Sequence, residues 1–520
     1  MSAANRDKFA LSPSEGTFTL AKGTSLSFLG EIAHTIITYA LGIVIAQFLG
    51  AGDFGVFSLG ITIFNLVVLF SYCGIEDGLM RFIGLYVQNK EIDKAKGIIR
   101  FSLLASVGIG ILFGSLCFFF AYQGIERFFP EPAIASVLRY LSLAIPISAI
   151  IVVPVSSLRG FKIVAPYVFV RKVFLPLISF IFTICALAMG YGLQGLAVTY
   201  VIAIGCTAVL SAFLLISFLS RFNKEKSVTP DLGKYLPFVG SALLVSLFLF
   251  LSNWSDFIVL GMLRSSQETG VYFAAKRTGM VLSFLLLSLN VIFAPVASHL
   301  YSGSEHTQLS HAYKTTTRWL LTLSLPLFLI MVFFSNEILS LFGPAFKAGS
   351  TCLIILAFAN LIHVSIGSSG YLIMMTGNQK WMVFNSILFV IMAFFLTTFL
   401  VPKYGMLGAA YANACAMLLA NIIVLLEVYF LLRLHPYNIR YFKVLCSGAI
   451  TAAVTYLLIQ CHSPYEGSLI LLFVQCVLVF ILFFALIILF GLEENEKKIL
   501  WAIRKKMMLF CIRGSAGCKK

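Results

Sequence analysis

IVIAQFLGAGDFGVF, Ile43 to Phe57, returns about 215 residues later as IVLGMLRSSQETGVY, Ile258 to Tyr272, and that recurrence decides how the chain divides. Aligned at this shift, Ile43 and Val44 meet Ile258 and Val259, Asp53 meets Glu268, and Gly55-Val56-Phe57 meets Gly270-Val271-Tyr272. Each copy reads as the end of one apolar helix, a tight polar turn with an acid near the next helix start, then a glycine and an aromatic at the interface. Other landmarks follow in the same order: Pro130 and Pro344, Gly160 and Gly377, then YGLQGLA at Tyr191 to Ala197 and YGMLGAA at Tyr404 to Ala410. Self-similarity at a fixed period marks repeated structural units. The chain is therefore two related halves followed by a tail.

Of the 520 residues, 60% are hydrophobic and 11% charged, against about 25% charged in a soluble domain. With a mean hydropathy of +0.98, the chain belongs in a bilayer. Apolar runs of about 20 residues, the length that crosses the hydrocarbon, recur about fourteen times. The expected fold is an all-α polytopic membrane protein of two parallel six-helix repeats plus a C-terminal helix pair. Its expected parts are an arm at 1–23, six-helix lobes at 24–225 and 226–433, extra helices 13 and 14 at 434–492, and a basic tail at 493–520. Because six spans precede the Arg221 to Lys234 linker, both halves enter the membrane in one orientation, and a substrate site is expected between them. The first 23 residues are polar and lead into a full-length span, so that span is expected to serve as an uncleaved insertion signal. The eleven cysteines are scattered, mostly inside spans, and read as small hydrophobes.

A net charge of +16 in a soluble protein would point to nucleic acid. With both termini cytoplasmic, however, 29 of the 37 Lys and Arg fall in cytoplasmic segments, which is the positive-inside pattern. Basicity thus reports orientation and the anionic inner leaflet, and no nucleic-acid partner is expected.

Ionisable groups deep in a span are functional candidates. Span 1 carries Glu31 and His34, one helical turn apart and about 10 Å in from the inner surface. Span 2 ends near Glu76, Asp77 and Arg81, the acids reading as groups that snorkel to water. Arg139, Arg171 and Lys172 read as snorkelling anchors at span ends, and Pro146, Pro154 and Pro176 as kinks. Asp256 in span 7 and Lys276 in span 8 both lie about 10 Å from the turn that joins them. They are matched in depth for a structural ion pair, which leaves Arg277, about 100° round the helix, unpaired. The alternative is an anion site formed by Lys276 and Arg277, with Arg81 as a weaker inner-end member. Glu31, His34 or Asp256 could couple transport to H+ or Na+. His363 reads as a hydrogen-bonded packing residue.

Catalytic signatures are missing: there is no Walker loop, no GxGxxG after a strand, no HExxH and no GxSxG elbow. No outer segment exceeds roughly 15 residues, too little for the polar pocket of a membrane enzyme. A transporter without cofactor or metal is expected.

Two six-helix halves with two extra helices, FLGAGDFGVFSLG leading into GLMRF, and SDFIVLGML running through TGVYFAAKR resemble the polysaccharide transporter branch of the multidrug/oligosaccharidyl-lipid/polysaccharide (MOP) flippase superfamily, whose fold is MATE-like. The resemblance covers nearly the whole chain. It implies a Wzx-like flippase that moves an oligosaccharide linked to polyprenyl pyrophosphate from the inner to the outer leaflet of a plasma membrane, by alternating access, for cell-surface polysaccharide biosynthesis. It also implies a cavity lined by helices 1, 2, 7 and 8, with the basic position of YFAAKR, here Lys276 beside Arg277, serving the pyrophosphate. The partners implied are the bilayer, the lipid-linked oligosaccharide and a glycan polymerase or glycosyltransferases. Lipid II flippases carry an arginine cluster in span 1, where Glu31 and His34 stand here. A multidrug or cation antiporter of the same superfamily is the alternative, since it would share the doubled six-helix plan.

Overall fold

The computed structural model describes residues 13–222, 231–303, 305–461 and 469–490. The middle of the expected linker, the His462 to Gly467 turn and the basic tail from 493 lie outside the described residues, as does the first part of the arm. Among the described residues the secondary structure is helical throughout, with no strand. That is what an apolar chain without water partners requires, because a helix satisfies its backbone within one segment.

Among the described residues, eleven helices are long and apolar enough to cross a membrane, or twelve if the pair Ala133–Ser142 and Ala144–Gly160, bent by 48°, is one span. The bend has a chemical cause. Pro146 has no N–H to give the Ser142 carbonyl, and the first helix stops at Ser142.

Two helices are far longer than a bilayer needs. Pro13–Tyr72 contains 60 residues and is broken at Gly50 (φ 77°, ψ 177°), a conformation essentially reserved for glycine. Gln379–Leu432 contains 54 residues and is broken at Gly405 (φ 56°, ψ −135°). Both breaks are reversals. A Cβ on Gly42 would stand 4.0 Å from the ring of Phe54, whereas twelve residues of straight helix span about 18 Å. In the same way Gly408 lies against the backbone of Leu400. The expected fourteen spans would be reached only by counting each hairpin as two crossings.

The two copies of the opening stretch pack on each other. A methyl group on Gly55 would collide with the Ser266 carbonyl and stand 2.8 Å from the Gly270 nitrogen. One on Gly270 would collide with the Ala51 carbonyl and stand 2.9 Å from the Gly55 nitrogen. Residues 51 and 55 correspond to 266 and 270 at the 215-residue shift, so the contact is reciprocal, as it is about a two-fold axis. Only glycine admits backbones this close. Around this point one apolar core draws on both repeats, with Phe54 and Phe57 from the first, and Phe257, Phe273 and Phe342 from the second. Far along the interface, the repeats meet again where Tyr235 and Ser102 share a hydrogen bond of 2.7 Å.

Helices Ile439–Cys461 and Leu469–Leu489 have no counterpart in the first half. They pack on the His306–Phe333 helix, with Tyr441, Val444 and Phe483 against Leu321 and Leu325, and Val479 against Leu329 and Ile330.

Candidate functional site

Between the repeats lies a cavity of about 670 Å³. Its walls come from both arms of the first hairpin, from Leu232–Leu263, and from the two helices that follow Ser265; Asn360, His363 and Asn413 close one side. Glu31, His34 and Arg277 face it, and Lys276 contributes to its lining while its ammonium is held by Asp256. Aromatic groups, among them Tyr39, Phe57, Trp254 and Phe284, alternate with the amides of Asn65, Asn253, Asn360 and Asn413.

The helix Ser266–Gly279 starts with a Ser265 cap, whose hydroxyl accepts from the Glu268 N–H. This start fixes the rotation that puts Lys276 and Arg277 on different surfaces. Lys276 turns into the protein, where its Nζ donates to Asp256 Oδ2 at 2.7 Å. Tyr272 also donates to that carboxylate, and Asn413 does so at 3.1 Å. The side chains of Lys276 and Asp256 are 6% and 1% exposed. The Lys276 ammonium stands 5.6 Å from the centroid of the Trp254 ring. Of the two readings of this residue, the geometry matches the ion pair: both charges are desolvated, opposed and hydrogen-bonded, as a buried pair must be to persist.

Arg277 is different. It is half-buried on the cavity wall, with its guanidinium 5.9 Å from the Phe273 ring centroid and no ion pair to a carboxylate among the described residues. Beside it, the Tyr39 hydroxyl and Thr278 share a hydrogen bond of 2.9 Å.

The first repeat supplies a second set of ion pairs, between charges that, Arg159 apart, sequence reading names but does not match. Glu31 pairs with Lys172 at 2.7 Å, and Glu76 with Arg171 at 2.7 Å and Arg159 at 3.9 Å. The expectation of Arg171 and Lys172 as snorkelling anchors is thereby corrected. The turn Phe169–Phe174 is a wide π-helical one, a feature often found at functional sites, and acids on neighbouring helices meet both cations. Glu76, expected to snorkel, is likewise held by arginines, whereas Asp77 is exposed. Arg139 lies 4.6 Å from the Phe118 ring centroid. Arg81 is exposed, 4.6 Å from the ring centroid of Phe238, and does not line the cavity. His34 faces the cavity with Nδ1 buried and without a hydrogen-bond partner. His363 bonds Asn421 at 2.8 Å.

Comparisons with known proteins agree with this architecture. A family profile described as polysaccharide biosynthesis protein matches residues 44–350, more than half of the chain. The chain is 22% identical over 428 residues to the uncharacterized membrane protein MJ1068 of Methanocaldococcus jannaschii, covering 75% of this chain and 80% of the relative. It is 28% identical over 202 residues to a Haloferax volcanii protein named "Probable low-salt glycan biosynthesis flippase Agl15", a match that spans 38% of this chain and 39% of that one. Among solved structures, the lipid II flippase MurJ in an inward closed conformation superposes with a TM-score of 0.70 at 16% identity, covering 88% of this chain and 97% of that one. An inward-facing multidrug resistance MATE family transporter of the MOP superfamily gives 0.62, also at 16% identity, covering 77% and 94%. At such identities the superpositions speak for the fold alone. By its profile match over more than half of its length, this chain belongs to the polysaccharide biosynthesis protein family.

Proposed function

We propose that the protein flips an oligosaccharide carried on polyprenyl pyrophosphate across the plasma membrane, by alternating access of the cavity between the repeats, for cell-surface polysaccharide biosynthesis. The observation that carries this reading is a charge balance. Asp256 answers Lys276, and Glu31 answers Lys172. The Arg277 cation is left over on the cavity wall. A diphosphate bearing about two negative charges cannot enter hydrocarbon unpaired, since desolvating it costs tens of kcal/mol in the idealised limit, and a guanidinium at the wall meets it with charge-assisted hydrogen bonds. The cavity amides suit sugar hydroxyls, and the prenyl chain stays among the lipids. A cation exporter would need a free acid facing aromatic rings, and Glu31, the acid among the cavity-lining residues, is paired with Lys172. The name of the relative Agl15, a probable glycan biosynthesis flippase, points the same way.

In this reading the termini are cytoplasmic, so the Glu31 end of the cavity is the entry. Ion coupling falls to His34, the one of the three expected groups without an ion pair. The reading is tested with purified protein in liposomes. Arg277→Gln should weaken binding of a polyprenyl-pyrophosphate glycan by about tenfold or more, the value of one charged hydrogen bond. Drug efflux without any such binding would overturn it.

A further inference from the structure

The two ion pairs at the cavity are built differently. Asp256 is sealed and takes three donors. Glu31 is 37% and Lys172 26% exposed at the side chain, and among the described residues neither charged group has another hydrogen-bonding partner. An ion pair this open to water holds weakly. Its neighbour Arg171 is not similarly available, because Glu76 holds it at 2.7 Å.

Lys172 and Arg277 come from opposite repeats, and Lys172 holds Glu31, which lines the same cavity as Arg277. His34 faces that cavity one turn beyond Glu31. Gly30 lets the first helix lie close enough to the π-helical turn that a Cβ on it would stand 3.4 Å from Lys172 Cβ. A diphosphate has two phosphoryl groups, one for each cation.

We infer that Lys172 is the second cationic arm of the anion site and that Glu31 is its internal stand-in, a carboxylate that occupies Lys172 in the empty protein and is displaced by the substrate's diphosphate. This rests on the anion-binding reading of Arg277. Both are positioning and specificity elements of one site: Lys172 distinguishes a diphosphate from a monophosphate, and Glu31 sets how much binding must overcome. With one arm on each repeat, the bound diphosphate would also tie the repeats together at the entry.

The test measures binding of farnesyl diphosphate and farnesyl monophosphate to the purified full chain in nanodiscs. Lys172→Gln should weaken the diphosphate by about tenfold or more, the value of one charged hydrogen bond, and leave the monophosphate nearly unchanged. Lys172→Arg should keep the preference. Glu31→Gln should tighten the diphosphate several-fold, an outcome no structural ion pair gives and one that remains readable if Lys172→Gln fails to fold. The inference is overturned if Glu31→Gln and Lys172→Gln weaken binding alike and the swapped pair Glu31→Lys with Lys172→Glu restores it. Retained binding in Lys172→Gln with loss in Arg277→Gln sinks this inference alone. Retention in both sinks the anion site itself.

Discussion

Removing Asp256 should cost more stability than removing Lys276, and removing both should cost less than the sum. In Asp256→Ala the Lys276 ammonium stays in a site where its side chain is 6% exposed, with no carboxylate to meet it. Breaking a buried pair in this way costs about 3–5 kcal/mol. Tyr272 and Asn413 lose their acceptor as well, at about 1–3 kcal/mol for each group left unsatisfied. Lys276→Met is milder, because Asp256 keeps its bonds from Tyr272 and Asn413. In the double variant Asp256→Ala with Lys276→Met no charge remains, and only the hydrogen bonds from Tyr272 and Asn413 are missing. A coupling energy of about 2 kcal/mol or more is expected between the sites, within the range found for contacting residues. Denaturant titration of the four proteins in bicelles, followed by tryptophan fluorescence, measures it. An Asp256→Ala protein that unfolds at the wild-type midpoint, while Lys276→Met folds normally and loses diphosphate binding, would refute the reasoning and return Lys276 to the anion site.

Gly55→Ala and Gly270→Ala should destabilise by similar amounts, about 1–3 kcal/mol each as for overpacked cores, because each methyl meets the same backbone across the two-fold axis; unequal unfolding midpoints would break the reciprocity. With cytoplasmic termini, a single cysteine placed at Tyr191 should react with an impermeant reagent added outside and one at Lys90 should not; the reverse pattern would invert the orientation. Transport that ignores both a pH and a sodium gradient in vesicles would remove His34 from any coupling role.

What the sequence disclosed depended on how local the relation was. The repeat was legible because its landmarks kept their order, and their shift of about 215 residues reappears as the reciprocal contact of Gly55 with Gly270. Asp256 and Lys276 are 20 positions apart across one short turn, so counting residues from that turn matched their depths and left Arg277 over. Glu76 and Arg171 are separated by 95 positions, and no periodicity tells one helix which neighbour it will face. Arg171 and Lys172 looked like interface anchors for that reason, and the π-helical turn that helps aim them has no motif. The loss of Arg81 from the cavity has the same origin: depth was readable, direction was not.

The reciprocal contact of Gly55 and Gly270 is the kind that two copies of one polypeptide make in a homodimer. An ancestral six-helix protein, its spans even in number, could have assembled this way unaided. Such a dimer is bound to symmetric walls: any cation on one side of its cavity must be repeated on the other. At the 215-residue shift, Asp256, Lys276 and Arg277 correspond to Leu41, Ile61 and Thr62, and all three of these face the same cavity. In a single chain that constraint is absent, so positions 256, 276 and 277 carry charge while their counterparts 41, 61 and 62 carry none. A lopsided lumen of this kind suits an amphiphile whose two ends differ.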